Sequence, residues 1–395
     1  AVGGLTLNGE FVVSLSVTTT AGTYTITAAS NASSSATGGG SVSAGYQINV
    51  GNPFAIPITG WGAGSWSQGP WNTGESSTTA IRFWSQSNFG EDLVFGNDGG
   101  SIYYWDATGN VNTRAVELST RSGASDVPIL QNLILVSDIS RFVFCFGTNE
   151  IGSNSIDPTL VRWSDQEDAA NWTPSAINQA GSLRLSRGTK IVAASQARQE
   201  VLVWTDSSLY SLQYVGAPAV WAATLVGENI SISSQNAVSY ANGVAYWMGK
   251  DKFYMYDGRT QPLKCDVRKY IFNDFNVAQY SQVFSGTNES FHEIWWFYCS
   301  AGETNIDKYV IYNYLDKIWY YGTLARTAWI DSGLRDTPLA ATYDLNLVDH
   351  ETGIDDNQSS STAAITAFIV SSDFDIGDGD RFSLVNRVVP DVSFD

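Results

Sequence analysis

The chain has 395 residues, 43% hydrophobic and 15% charged, with 14 Trp, 19 Tyr and 18 Phe. This apolar share excludes a disordered chain, and the scarcity of charged residues excludes a coiled coil. With 21 basic against 39 acidic residues the formal charge is −18. That balance disfavours a nucleic-acid-coating role, because counterion release needs clustered Lys and Arg.

No run of ~18 apolar residues is present to span a membrane. Cys145, Cys265 and Cys299 lack metal-ligand spacing and read as core thiols of a reducing compartment. No initiator Met or signal peptide is seen. The chain ends on Val392-Ser393-Phe394-Asp395 soon after the apolar pair Val388-Val389, as a piece of a longer polypeptide would.

In chain order, residues 1–50 read as a small β module. Phe11 to Val17, Tyr24 to Thr27 and Tyr46 to Val50 have β-type composition. Thr20-Ala21-Gly22 forms a turn, and Asn31 to Gly40 a Ser/Gly loop. Residues 51–78 form a Gly- and Pro-rich linker with Trp61, Trp66 and Trp71 spaced five apart. Those rings either pin the linker by packing or present a sugar-binding face.

From residue 79 to 395 one unit recurs: an apolar run, a turn rich in Asp, Asn or Gly, and a second run carrying Tyr or Leu. The first copies are Leu93–Phe95 with Ile102–Trp105 and Phe142–Phe146 with Leu160–Trp163. Val201–Trp204 with Leu209–Leu212 and Val244–Met248 with Phe253–Tyr256 follow. Ile294–Tyr298 with Tyr309–Tyr312 is the fifth, and Leu339–Tyr343 with Leu345–Val348 a weaker sixth. The copies lie on average about 49 residues apart, and a propeller blade takes ~40–50. A hairpin cannot bury its apolar face alone, and radial stacking solves that. The expected fold is all-β: a β-propeller of about six blades, with little helix. Asp98, Asp206, Asp251 and Asp344 should sit in or next to the hairpin turns. Trp204, Trp247, Trp295, Phe144 and Tyr254 should be buried between blades. A two-sheet sandwich is the alternative, but the repeat is long for its strand spacing.

The chemistry is sparse. His292 precedes an apolar run and suits a strand edge. His350-Glu351, near Asp355 and Asp356, lacks a second ligand cluster for calcium or zinc. No Gly-x-Ser-x-Gly elbow, P-loop or dinucleotide fingerprint occurs. Asn97-Asp98-Gly99-Gly100-Ser101-Ile102-Tyr103 partly resembles the Asp box of sialidase-like propellers. Gly96 stands where that box has Ser or Thr, and Tyr103 where it has Trp. Such boxes are structural, and the arginine cluster and Tyr–Glu pair of that enzyme class are not evident. No catalytic residue and no cofactor is expected. Asp165, Glu167 and Asp168 share one loop flanked by Trp163 and Trp172. That loop is either a solvated acidic turn or a subunit contact that meets a basic neighbour.

Val161-Arg162-Trp163-Ser164-Asp165-Gln166-Glu167-Asp168 with Trp172-Thr173-Pro174-Ser175-Ala176 resembles structural proteins of tailed bacteriophages. Arg82-Phe83-Trp84, Phe89-Gly90-Glu91-Asp92-Leu93, Ile102-Tyr103-Tyr104-Trp105-Asp106 and Gly60-Trp61-Gly62-Ala63-Gly64-Ser65-Trp66 are similar to them as well. The resemblance is one of texture and phrases over most of the chain. It implies the tail nozzle or hub of a short-tailed phage, made in the host cytoplasm and carried on the virion. The partners would be copies of itself in a ring, usually a hexamer, and adjoining portal, adaptor and tail proteins, with genomic DNA as passing cargo. An acidic lining would keep phosphates from sticking. The competing readings are a glycan-binding or glycan-cleaving propeller and a cellular propeller scaffold.

Overall fold

A computed structural model describes residues 81–331 and 333–356 in sequence and much of 2–38. It also describes residues 48, 50–55 and 363–365, with a few isolated positions beyond. Near the N-terminus β1 (Val13–Thr18) pairs antiparallel with β2 (Thr23–Ile26). The expected turn at Thr20-Ala21-Gly22 lies outside the described residues, as does most of the Tyr46–Val50 segment.

Six antiparallel sheets follow, each a blade. Blade 1 is β3 (Trp84–Phe89), β4 (Asp92–Asn97), β5 (Ile102–Trp105) and β6 (Val116–Glu117). Blade 2 is β7 (Gln131–Val136), β8 (Val143–Asn149), β9 (Ile156–Trp163) and β10 (Gly181–Arg184). Blade 3 is β11 (Ile191–Gln196), β12 (Glu200–Thr205), β13 (Ser208–Gly216) and β14 (Val220–Glu228). Blade 4 is β15 (Val238–Ala241), β16 (Val244–Met248), β17 (Phe253–Tyr256) and β18 (Thr260–Leu263). Blade 5 is β19 (Phe284–Asn288), β20 (Glu293–Tyr298), β21 (Lys308–Asn313) and β22 (Ile318–Thr323). Blade 6 has three strands, β23 (Ala328–Ile330), β24 (Leu339–Ala341) and β25 (Leu347–Asp349). A short pair, β26 (Asp355–Asp356) and β27 (Ala363–Ala364), lies after it. The one α-helix among the described residues, α1 (Arg268–Asn273), links blades 4 and 5.

The first strands of successive blades, β3, β7, β11, β15, β19 and β23, neighbour one another around the axis. The chain is therefore a six-bladed β-propeller, and the six hairpins legible in the sequence are the second and third strands of the six blades. Those middle strands are apolar on both sides because both sides are covered. Every residue of β8 is buried, and all but the first of β12 and β20. A strand sandwiched between two layers reads as a continuous apolar run.

Four apolar clusters fill the seams. One joins blades 1 and 2, a second blades 2 and 3, the largest blades 3 to 5, and the last blades 5 and 6. Large rings meet across each later seam. Phe144 lies edge-on to Trp221 at 4.9 Å, Trp204 to Trp247 at 5.3 Å, and Trp295 stacks on Trp329 at 5.1 Å. Trp204, Trp247 and Phe144 are wholly buried, and Trp295 and Tyr254 nearly so.

The turn aspartates have a structural task. Asp98 and Asp206 occupy the turns between second and third strands, and Asp251 and Asp344 the matching turns of blades 4 and 6. Asp98 Oδ1 accepts the N–H of Phe83 at 3.2 Å, and Asp206 accepts the N–H and hydroxyl of Thr189 at 2.8 and 2.7 Å. Each ties the turn to the segment entering its own blade. At the axis, Ser85 and Ser87 hydroxyls accept the edge amides of Ile134 and Val136 at 2.9 and 3.1 Å. Serines thus replace the missing ladder partner of an inner edge strand.

Two contacts anchor the segment before the propeller. Gly51 bridges to Ile81. The side-chain amide of Gln279 both accepts from Ala55 N at 2.9 Å and donates to Ala55 O at 3.0 Å. Across the axis, Gln235 Nε2 reaches Trp84 O at 3.4 Å, from the turn before blade 4 to the inner strand of blade 1.

Trp247→Ala removes a wholly buried ring from the largest cluster, and it should destabilise the fold by ~3–5 kcal/mol. Equilibrium denaturation of the two proteins measures it, and an unchanged midpoint would count against the blade packing.

Candidate functional site

The acidic loop joins β9 to β10 on the outer half of blade 2. Its two tryptophans are not surface groups. Trp163 is 3% and Trp172 1% exposed. Each indole N–H donates to a main-chain carbonyl, of Gln179 and Ala169 respectively, at 2.8 Å. They belong to the seams on either side of blade 2, so any contact made by this loop is made without them. Asp165 is half-buried and holds the loop shut. Its Oδ1 accepts the N–H groups of Gln166 and Gln179, each at 2.8 Å, and its own N–H donates to Asn171 O. Asp168 accepts from Ala170 N at 2.9 Å. Glu167 stands in the left-handed region at φ 59°. Gln166, Glu167 and Asp168 are exposed, and so is Ile177 further along, at 97%. The structure thus brings the five residues into one loop but splits their tasks: two core rings, one internal acceptor, and two carboxylates offered to solvent.

Sequence reasoning passed over Arg162. It lies 2% exposed on β9, between two adjoining clefts of about 480 and 230 Å³ that share it and Ile151. Its guanidinium donates to Asn149 O at 3.2 Å and Asp126 O at 2.5 Å. Burial pulls its pKa below the ordinary value. A charge inside the apolar run Leu160-Val161-Arg162-Trp163 was the available signal. At the cleft mouth Arg184 pairs with Glu150 and with Asp157.

His292 caps a short turn in the left-handed conformation, edge-on to Tyr314 at 5.6 Å, as a strand-edge residue does. His350 lies in the blade 5–6 seam. Its Nε2 accepts from Arg326 Nε at 3.0 Å, and its ring sits 4.6 Å from Trp329. Burial, then the Arg326 charge, lowers its pKa to about 4. Burial raises the carboxyls of Glu293 and Glu351 nearby, and Glu293 donates nothing but accepts from Trp295 Nε1 at 3.0 Å. No three His, Cys, Asp or Glu residues group for a metal among the described residues. Cys145 and Cys299 are buried thiols and Cys265 is half-buried; burial pushes the latter two to about 12. Trp61, Trp66 and Trp71 lie outside the described residues. No helix among those described is long and apolar enough to cross a membrane.

Both faces of the propeller expose charges of both signs, gathered in local clusters. The loops joining first to second and third to fourth strands form one face. Glu167 and Asp168 are exposed there in a loop, residues 164–180, that has no Lys or Arg, while Arg114, Arg141, Arg198 and Arg259 are exposed on other loops of that face. The opposite face carries the turns between second and third strands and the links between blades. On blade 4 that face presents Lys250, Lys252, Lys264, Arg268 and Lys269.

Two predictions follow from these environments. Asp165→Ala strands two backbone N–H groups and should cost ~1–3 kcal/mol, whereas Glu167→Ala should stay within about 0.5 kcal/mol; thermal or denaturant melts compare them. For His350, the folded state takes up a proton less readily than the unfolded chain. Its contribution is absent above about pH 6.5 and destabilises progressively as pH falls toward about 4. Glu293 and Glu351, with raised values, act in the opposite sense, so the readout is the difference between wild type and His350→Gln. The variant should lose less stability between pH 7 and 5, and parallel curves would refute the assignment.

No family model matches the chain, and no curated protein matches it. Among solved structures it is similar to Hsv2 of Kluyveromyces marxianus at 8% identity and TM-score 0.40, over 73% of this chain and 81% of that one. It is similar to Sqt1 of Saccharomyces cerevisiae at 8% and 0.41, over 66% and 80%. BamB of Moraxella catarrhalis gives 14% and 0.38, over 68% and 70%. Likenesses this distant carry neither family nor function to this chain.

Proposed function

We propose that the chain is a virion structural protein of a short-tailed bacteriophage. In this reading it is a tail nozzle or hub whose copies form a ring, a hexamer in the usual arrangement, through which genomic DNA passes. Its partners are then copies of itself and the adjoining portal, adaptor and tail proteins. It carries no catalytic role and no cofactor. The observation that carries this reading is the set of phage-like phrases, Ile102 to Asp106 and Val161 to Asp168 with Trp172 to Ala176.

Two features of the fold support it. The Gln235–Trp84 contact crosses the propeller axis, so a duplex would run between protomers and not through one. Exposed loop carboxylates, in a chain of net charge −18, would repel phosphates wherever they border that duct. A glycan site needs aromatic rings beside convergent polar groups; the two blade 2 clefts are lined by Glu150, Arg162, Arg184 and aliphatic or small polar residues, with no ring.

The test uses the phage. Antibody raised against the propeller should label the tail tip, and particles assembled without the chain should lose their DNA or lack tail tips. Full infectivity without the chain would remove the structural role. Specific binding on a glycan array would favour the carbohydrate reading instead.

A further inference from the structure

The segment 250–269 holds twice as many basic as acidic residues, in a chain where acids outnumber bases 39 to 21. Topology gathers most of them. The turn between β16 and β17 brings Lys250 and Lys252, and the link from β18 into α1 brings Lys264, Arg268 and Lys269 to the same end of blade 4. The local acids only partly offset them. Asp251 lies 3.4 Å from Arg268 and 3.8 Å from Lys252, and Asp266 lies 3.7 Å from Lys264, whose side chain is 92% exposed. Lys250 and Lys269 form no ion pair among the described residues. Beside this basic group Tyr270 and Tyr321 pack at 4.5 Å and are each 48% exposed. Exposed tyrosines are among the residues enriched at interfaces, and a polar, charged rim surrounds such a centre.

We propose that this blade 4 surface docks the acidic blade 2 loop of a second copy, with Glu167 and Asp168 against Lys264 and Lys269, and Ile177 beside the Tyr270–Tyr321 pair. The proposal rests on the self-assembly part of the reading above. Charge complementarity selects the occupant: the β9–β10 loop of the same chain, residues 164–180, holds three carboxylates and no Lys or Arg, and exposes Glu167, Asp168 and the apolar Ile177. Since the two surfaces lie on opposite faces, one chain cannot satisfy its own, and the contact is heterologous. Such a contact repeats in one sense from copy to copy until a ring closes.

Two variants of the full chain test it: Glu167→Lys with Asp168→Lys, and Lys264→Glu with Lys269→Glu. Asp165 and Arg268 are left intact because both hold local structure; Asp168 also accepts from Ala170 N, and the Asp168→Asn arm below keeps that acceptor. In sedimentation at low salt the wild type should self-associate, and added salt should weaken it as charges are screened. Each variant alone should raise the dissociation constant roughly tenfold or more. An equimolar mixture of the two should associate again, because the Lys loop of one then meets the Glu surface of the other. Melting curves check that each variant is folded. Where one is not, the neutral pair Glu167→Gln with Asp168→Asn, or Lys264→Gln with Lys269→Gln, should shift association in the same direction. A wild type that stays monomeric, variants that associate as the wild type does, or a mixture no better than its components overturns the proposal. Tail-less particles in the absence of the chain, together with self-association indifferent to these charges, would keep the structural role and discard this contact.

Discussion

The fold depends on covering the two middle strands of every blade on both sides at once. Residues such as Phe144, Phe146, Trp204 and Trp296 are wholly buried, and a single sheet has no way to shield them. A neighbour on each side is obligatory, and the neighbour has the same need, so the blades stack until they meet around an axis. Large rings suit the wedge-shaped seams because they bury much area with few rotatable bonds. The indole N–H groups of Trp204 and Trp221 are buried without an acceptor among the described residues, but others bond across the seam. Trp296 donates to Ala237 O in the preceding blade at 3.0 Å, and Trp329 to Thr287 O at 2.8 Å. These bonds fix the rotation of one blade against the next as well as their separation.

That constraint explains why polar residues in the propeller are mostly structural. Asp98, Asp165 and Asp206 all spend their carboxylates on backbone amides, Ser85 and Ser87 close an inner strand edge, and Arg162 satisfies two buried carbonyls. What is left for a partner is the periphery of the two faces. Charge there is clustered locally, acidic in the loop at 164–180 and basic over 250–269, and these clusters are what an assembly reading turns on.

The sequence was most legible where burial was greatest. The hairpins of blades 1 to 5 stood out because strands covered on both faces lose their alternation and become apolar runs around an Asp or Gly turn. The first and fourth strands did not stand out. Trp84 to Phe89 has four polar residues in a row, Ser85-Gln86-Ser87-Asn88, and so no apolar signal, and Gly181 to Arg184 is too short and polar to read as a strand. The loop at 164–180 was legible as a unit but not in its parts. Asp165 looks the same as Glu167 in sequence, and only the fold shows that one carboxylate faces Gln179 N while the other faces water. Trp163 and Trp172 flank acids in sequence and the core in space, which a linear reading cannot separate. The Arg162 clefts were invisible because they depend on three segments, around Asp126, Asn149 and Arg184, meeting at one strand.

The clasp of Ala55 by Gln279 and the bridge of Gly51 to Ile81 have a topological consequence. The chain is held to the propeller at Ala55 and again at Ile81, which pairs with Gly51. Thermodynamically the intervening chain is a loop with both ends pinned. The entropy of closing such a loop grows only logarithmically with its length, by about 0.6 kcal/mol per doubling. The pinned ends therefore set almost no thermodynamic limit on the length of the chain between them.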